Sequence, residues 1–346
     1  MRTEDAHDPR RTLLLDLFQA GLARVHGRHC VRAALGAAEP ASPVWVAAIG
    51  KAATAMALGA CDALGAAIER TLIITRDPED PSAFAPRAAP EVWLGSHPVP
   101  DERSLAAGAR LLAWVDELPP SVSPLFLISG GASSLVEVPA PGATLDELAE
   151  LTRLSFTSGM AIGELNARRA ALSRIKGGRL AARLAGRPAR ALFVSDVPDD
   201  DPRVIGSGLM GPAPAGPDCI ERTVVASIDH AVAAVAARAV QLGLAVHAPP
   251  GRLAAGAVRL AARFAHELHH GDAQLCVWGG ESTVELPPQP GRGGRNQHLA
   301  LAASGDLVHT GPTGTNVGDL VIGLKLTAED AGVLARRHDD RRQRVL

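Results

Sequence analysis

The sequence predicts an α/β protein whose parallel β-sheets are covered by helices on both faces. Short apolar runs alternate with longer helix-forming segments along most of the 346-residue chain. Runs such as 44–49 and 125–128 lack the polar alternation of a half-exposed strand, as is typical of strands buried on both faces. Hydrophobic residues make up 47% of the chain and aromatic residues only 3%, so we expect an aliphatic, alanine-rich core.

The elements can be placed in order along the chain. Residues 11–35 favour a long helix that is interrupted near Gly27. Asp101 is a suitable N-cap for a second predicted helix, which begins at residue 102. The predicted strands are 44–49, 71–75, 92–94, 125–128, 191–194 and 275–278, and the other predicted helices are 52–64, 102–118, most of 145–184, 229–242 and 253–270. The Gly/Pro-rich run 211–217 is the best linker, so we expect domains over residues 1–216 and 217–346.

Composition argues against several classes of function. A formal net charge of −2 gives no electrostatic basis for binding nucleic acid or an anionic membrane. The four cysteines lack metal-like spacing, and no apolar run reaches the length of a membrane span. The polar N-terminal residues 1–11 are unlike a signal peptide. We therefore expect a soluble cytoplasmic protein that acts on a small molecule, with a homodimer as one alternative for its oligomeric state.

The region 279–297 combines glycine pairs with arginines, an acid and an amide, directly after a predicted buried strand. Glycines let backbone N–H groups approach an anion closely, and an arginine guanidinium suits phosphate or carboxylate. A glycine hairpin with two solvated arginines is the plain alternative, but so many polar groups together predict an anion site. The residues that carry this prediction are Gly279, Gly280, Glu281, Arg292, Arg295 and Asn296.

Two loops nearer the N-terminus also follow predicted strands. Lys51 stands at the start of a helix, where the helix dipole disfavours a cation, so a compensating anionic ligand is expected. An ordinary surface lysine is the alternative. The loop Ser129-Gly130-Gly131-Ala132-Ser133-Ser134 offers glycines and hydroxyls to a phosphate, although it lacks the spacing of a P-loop. In this loop we assign phosphate binding to Ser129, Gly130, Gly131 and Ser133.

An acid and a histidine complete the candidate set. Asp196 comes directly after a predicted buried strand and could hold Mg²⁺ or accept a proton from a substrate hydroxyl. His97 follows another strand in a turn bracketed by prolines, where a structural and a catalytic histidine are equally compatible with the sequence. No Gly-x-Gly-x-x-Gly lies between a strand and a helix, which argues against dinucleotide binding.

Stretches spread over nearly the whole chain match one family in order. They include Gly50-Lys51-Ala52-Ala53, Ser96-His97-Pro98-Val99-Pro100-Asp101, Ser129-Gly130-Gly131-Ala132-Ser133-Ser134, Leu165-Asn166 with Arg169, Lys176-Gly177-Gly178-Arg179, Ser195-Asp196-Val197, Gly279-Gly280-Glu281-Ser282-Thr283, Gly293-Gly294-Arg295-Asn296-Gln297 and Thr313-Gly314-Thr315-Asn316. The sequence thereby resembles the class II glycerate 2-kinases, whose C-terminal part is called the MOFRL domain. Members of that family are often labelled hydroxypyruvate reductase.

The resemblance implies transfer of a phosphoryl group from ATP, with Mg²⁺, to the 2-hydroxyl of D-glycerate. It also implies two Rossmann-like three-layer α/β/α domains with the active site in the cleft between them, the last strand returning to the first domain. The family's active-site lysine and arginine fall on Lys51 and Arg295, and Asp196 is the candidate metal ligand. We assign substrate binding to His97, Arg292 and Asn296.

One family segment is missing from this sequence. Relatives carry a Gly- and Asp-rich stretch between the Arg-Asn-Gln helix and the final Thr-Gly-Pro-Thr-Gly-Thr-Asn motif, whereas here Ala303 passes almost directly to 304–308. That stretch supplies acidic active-site residues in the family. A catalytically degenerate member that binds nucleotide or hydroxy acid, and a hydroxypyruvate reductase, are therefore the alternatives to an active kinase.

Overall fold

The computed structural model divides the chain into two compact units. It describes residues 8–36, 40–77, 84, 89–157, 160, 162–284, 295–304, 313–327, 329–330 and 333. The larger unit comprises residues 25–227 and 313–317, and the smaller unit comprises residues 1–24, 228–312 and 318–346. Both are α/β, which confirms the predicted fold class.

A six-stranded parallel sheet forms the centre of the larger unit. Its strands are β1 (Val44–Ile49), β2 (Ile68–Thr75), β3 (Glu91–Leu94), β4 (Ser123–Ser129), β5 (Ala189–Val194) and β6 (Ile220–Ala226). The order is β3-β2-β1-β4-β5-β6, the strand order of a doubly wound nucleotide-binding fold. In such sheets, ligands bind beyond the carboxyl ends of the strands, close to where the order reverses between β1 and β4.

Helices cover this sheet because its strands are apolar on both faces. Those of the larger unit are α2 (Gly27–Leu35), α3 (Ala53–Leu64), α4 (Glu102–Asp116), α5 (Ala132–Leu135), α6 (Leu145–Thr157), α7 (Ile162–Ala171) and α8 (Arg179–Ala182). Every residue of β1 is buried, and its Trp45 packs against Trp114 of α4 with ring centroids 5.7 Å apart. Asp101 caps α4 in a capping box with Ser104, as the sequence predicts for the cap residue.

The smaller unit is built on a three-stranded mixed sheet. It contains helices α1 (Pro9–Val25), α9 (Ile228–Gln241), α10 (Ala257–His270) and α11 (Arg295–Ser304), and strands β7 (Val246–His247), β8 (Leu275–Gly280) and β9 (Asp319–Leu324). Leu17 of α1 and Val235 of α9 pack with Val277 of β8 in one cluster. Phe264 of α10 stacks on Trp278 of β8 in another, with ring centroids 4.3 Å apart. Successive residues of β8 point to opposite faces of the sheet, so helices cover both of its faces, as in a three-layer arrangement.

The division into units differs from the predicted boundary after residue 216. Strand β6, which the sequence reading missed, pairs with β5 and extends the first sheet to Ala226. Residues 9–24 pack in the smaller unit although they begin the chain, because the apolar face of α1 contains Leu13 and Leu17 of its core. The last strand, β9, pairs antiparallel with β8, so it belongs to the smaller unit and only 313–317 return to the larger one.

The helical predictions are otherwise close to the structure. The long N-terminal helix is broken at His26, next to the predicted Gly27, and the expected helical stretch 145–184 consists of α6, α7 and α8. Across the described ranges, no helix has the length and apolarity needed to cross a membrane.

Candidate active site

Gly50 and Ser129 bring the ends of β1 and β4 into direct contact. The N–H of Lys51 donates to the carbonyl of Gly130 at 3.0 Å. Gly50 has φ +132°, and a Cβ there would lie 2.1 Å from the Ser129 Oγ. Only glycine allows this approach, so the backbone itself fixes Lys51 beside the Gly130-Gly131 loop.

Asp196 lies against Gly130. The end of β5 delivers its carboxylate, and Asn316 Nδ2 donates to Asp196 Oδ2 at 2.8 Å. A Cβ on Gly130 would come within 1.9 Å of both of these side-chain atoms. The glycine is therefore needed so that a half-buried carboxylate can occupy the sheet edge, held there by an amide from 120 residues further along the chain.

Lys51 and His97 lie against the neighbouring glycine, Gly131. A Cβ on Gly131 would be 3.1 Å from Lys51 Cε and 3.2 Å from His97 Cδ2, and the residue has φ +88°. Burial lowers the pKa of His97 to about 4, and the charges of Lys51, Arg76 and Arg169 act in the same direction. The imidazole is therefore neutral near pH 7 and keeps one nitrogen that can accept a hydrogen bond.

The serines of this loop have specific partners. Ser129 is fully buried, and its hydroxyl accepts the N–H of Ala52 at 3.1 Å, which ties β4 to the start of α3. The Ser207 hydroxyl lies 2.9 Å from both Ser133 Oγ and Asn166 Oδ1. Ser207 is buried with φ +56°, a conformation that costs a non-glycine residue energy and that recurs at functional sites.

In the smaller unit, the Gly279-Gly280-Glu281 stretch is closely packed. A Cβ on Gly279 would lie 2.5 Å from Ile228 Cγ1, and one on Gly280 would lie 2.1 Å from the Leu253 nitrogen. Glu281 donates its N–H to the carbonyl of Leu253 at 2.9 Å, while its side chain is exposed. The two glycines thus have a packing reason in the structure, and their role in nucleotide binding stays a prediction.

Asp319 is used structurally in the same region. It is 2% exposed, and its Oδ2 accepts both the N–H of Ser282 at 2.8 Å and the Ser282 hydroxyl at 2.6 Å. A buried carboxylate with two strong donors is already satisfied, so Asp319 has a structural role in this loop.

The structure describes less of the two predicted arginines, Arg292 and Arg295, than of the residues above. Arg292 lies outside the described residues, as do the glycines before Arg295. Arg295 begins α11, and its side chain is also outside the described part. Asn296 is exposed in the first turn of the same helix.

Comparison with known proteins identifies the family. A sequence profile described as a domain of unknown function (DUF4147) matches residues 13–241. A D-glycerate 2-kinase of Thermotoga maritima is 40% identical over 175 residues, which cover 51% of this chain and 40% of that protein. A putative hydroxypyruvate reductase of Agrobacterium vitis is 34% identical over 304 residues, 74% of this chain and 67% of that protein. A crystal structure of glycerate kinase from Thermotoga maritima superimposes with a TM-score of 0.80 at 26% identity, over 91% of this chain and 99% of that one.

The chain belongs to the glycerate 2-kinase family. The first relatives are matched over 40% of their own length, so the chain's match spans less than half of each of them. Family membership and the kinase-type fold therefore follow from the comparisons.

Within this glycerate 2-kinase family member, the structure adds residues to the site that sequence reasoning had not assigned to it. Asn316 holds Asp196, and Ser207 with Asn166 supports Ser133. Asn166 and Asn316 occur in the stretches that resemble the family, which was the available signal. The sequence carried no such signal for Ser207, because its left-handed backbone conformation is a property of the folded loop.

Proposed function

We propose that this protein phosphorylates the 2-hydroxyl of D-glycerate to 2-phosphoglycerate, using ATP and Mg²⁺. The observation that carries the proposal is the pairing of opposite charges on adjacent glycines: Asp196 lies against Gly130, and Lys51 against Gly131. Both lie at the carboxyl ends of parallel strands, next to the point where strand order reverses. The names of the relatives supply the phosphoryl acceptor, glycerate.

The residues present fit a magnesium ion. Asp196 offers a half-buried carboxylate held at one oxygen by Asn316, and Mg²⁺ usually binds through one or two carboxylates, phosphate oxygens and water. In the described part of the chain, no group of three or more His, Cys, Asp or Glu side chains is arranged to hold a metal ion. When bound, Mg²⁺ would neutralise charge on the phosphates of ATP.

Lys51 and His97 have complementary tasks in this proposal. Phosphoryl transfer places negative charge on the moving group, so a fixed ammonium stabilises the transition state. Lys51 is anchored through its own N–H to Gly130, which fixes the start of its side chain. The neutral His97 ring is suited to accept a hydrogen bond from the substrate hydroxyl or to receive its proton.

The glycine loops and the smaller unit complete the proposal. Gly130, Gly131 and Ser133 would face the nucleotide phosphates, and Gly279, Gly280 and Glu281 would contact the nucleotide. Ser129, predicted for the same role, is fully buried and would instead hold this loop in place through its bond to the Ala52 N–H. Arg295 would stabilise the transferred phosphoryl group, with Arg292 and Asn296 toward the substrate. The resemblance of these stretches to the family supports these assignments.

A binding protein without turnover is the second candidate. It is favoured by the missing Gly- and Asp-rich segment after Ala303, because losing an acidic active-site residue ordinarily reduces a rate by orders of magnitude. The name hydroxypyruvate reductase, carried by some relatives, supplies the third alternative.

The deciding experiment measures ADP release by the purified protein with ATP, Mg²⁺ and D-glycerate. A parallel assay contains NADH and hydroxypyruvate. We expect glycerate-dependent ADP release. No release, with ATP still raising the melting temperature, would indicate the binding protein, and NADH oxidation would indicate the reductase.

Two substitutions test the assigned roles in that assay. Lys51→Met and Asp196→Asn should each lower kcat/KM about 10²- to 10³-fold, since each removes a charge that stabilises the transition state or holds the metal. Lys325→Met is the matched control, because the Lys325 ammonium donates to the backbone carbonyls of His269 and Gly271 in the smaller unit. Equal activity of Lys51→Met and this control would remove Lys51 from the site.

A further inference from the structure

Arg169 and Lys176 share one buried carboxylate. Lys176 is 2% exposed and forms an ion pair with the fully buried Glu137. Glu137 also accepts the Ser173 hydroxyl at 2.5 Å. Glu137 is the carboxylate whose charge raises the pKa of Arg169 against the larger effect of burial. Two cations with one anion leave a positive charge uncompensated in a largely buried region.

That excess charge resides on Arg169. Its guanidinium Nη2 donates to the Thr152 hydroxyl at 3.4 Å, and it makes no ion pair with any carboxylate in the described residues. By contrast, the nearby Arg76 is exposed and pairs with Asp77 at 2.9 Å. A guanidinium keeps its proton even when buried, so within the described residues Arg169 is a cation that an anionic ligand could pair with.

Arg169 lies on the face of helix α7 that is linked to Ser133, a residue close in sequence to the Gly130-Gly131 loop. Asn166 and Arg169 are three residues apart on this helix and therefore share one face. Asn166 reaches Ser133 through the Ser207 hydroxyl, with both oxygen-to-oxygen distances 2.9 Å. The charge of Arg169 also acts on the His97 ring, which lies against Gly131 beside Lys51.

We propose that Arg169 binds the carboxylate of the hydroxy-acid substrate, in an anion subsite next to Lys51 and His97. This inference rests on the proposed function, in which the reacting 2-hydroxyl is one carbon away from that carboxylate. Lys51 then stabilises the phosphoryl group, His97 contacts the hydroxyl and Arg169 binds the carboxylate. The planar guanidinium matches the two oxygens of a carboxylate, which is the chemical group shared by all 2-hydroxy acids.

The test compares Arg169→Gln with Arg168→Gln. Arg168 is the adjacent arginine of α7, exposed and paired with Glu164, so its substitution removes the same charge away from the site. Calorimetry measures the binding of D-glycerate, L-glycerate and hydroxypyruvate, and of uncharged glycerol. Binding of ATP with Mg²⁺ is measured separately.

We expect Arg169→Gln to weaken D-glycerate binding about 10- to 100-fold, the usual value of a charge-assisted pair, and to leave ATP binding within about twofold. Arg168→Gln should bind both as the unaltered protein does. Arg169→Lys should give an intermediate loss, because it keeps the charge but not the fork, and it serves if the Gln variant does not fold.

Three outcomes would overturn the inference. They are a loss of ATP affinity instead of glycerate affinity, no change in either, and no binding of any of the three acids by the unaltered protein. Acid binding that depends on Arg169 in a protein that releases no ADP would support the subsite while contradicting the proposed kinase activity.

Discussion

At the scale of single residues, the site depends on the absence of a Cβ at Gly130. A methyl group there would lie 1.9 Å from Asp196 Oδ2 and Asn316 Nδ2, well inside contact distance. We expect Gly130→Ala to break the Asn316–Asp196 hydrogen bond and to lower the free energy of unfolding by about 1–3 kcal/mol, as overpacking usually does. Urea unfolding measures the stability, and Mg²⁺-dependent ATP binding measures the site.

Gly163→Ala is the control for this substitution. Gly163 lies in α7 with nothing within 4 Å of its would-be Cβ, so alanine should stabilise the helix by about 0.5–1 kcal/mol. If the two alanine variants have the same stability and Mg²⁺ response, the close approach at Gly130 is unimportant.

The residue scale also shows where sequence reasoning reached its limit. Lys51 and Asp196 could be predicted as neighbours, because parallel strands that alternate with helices end at one edge of the sheet. The sequence could not show why a glycine is needed at position 130, because the reason is the contact with Asp196 and Asn316. Asn316 comes from 120 residues further along the chain than Asp196. The strain at Ser207 likewise exists only in the folded loop.

At the scale of elements, the buried Glu137–Lys176 pair joins the loop after α5 to the loop before α8. Ser173 contributes by donating to Glu137 and accepting the N–H of Lys176 at 3.2 Å. Lys176→Met would leave the fully buried Glu137 without its direct ion-pair partner, with only the more distant charge of Arg169 nearby. We expect this to lower the free energy of unfolding by about 3–5 kcal/mol, measured by urea denaturation.

The double variant Glu137→Gln with Lys176→Met separates charge from packing. Because it removes both charges, it should recover much of the stability lost in Lys176→Met. A double variant as unstable as the single one would show that side-chain shape, and not the isolated carboxylate, causes the loss.

Prediction of strands succeeded where burial was two-sided but missed β6 at one edge of the larger sheet. Strands β1 and β4 were evident as continuous apolar runs, and both are almost wholly buried. Strand β6 lies at the edge of its sheet and carries Glu221 and Arg222, so it has no unbroken apolar run over its length. Because β6 was missed, the predicted boundary after residue 216 lies before this strand, which ends at Ala226.

At the scale of the whole molecule, the two units have separate cores, and the first helix belongs to the unit formed mainly by the last third of the chain. Leu17 in α1 is fully buried with Val235 and Val277 of the smaller unit. Leu17→Ala should cost about 2–5 kcal/mol, and the cost should fall on that unit. Hydrogen exchange should therefore speed up over 228–241 and 275–280 while β1 and β4 keep their protection.

Leu111→Ala, in the core of the larger unit and equally buried, should give the reverse pattern, with faster exchange in β1 and β4 and unchanged protection over 228–241 and 275–280. Uniform loss of protection in both variants would mean that the units unfold as one cooperative structure, and the discontinuous division of the chain would then describe its contacts but not its stability.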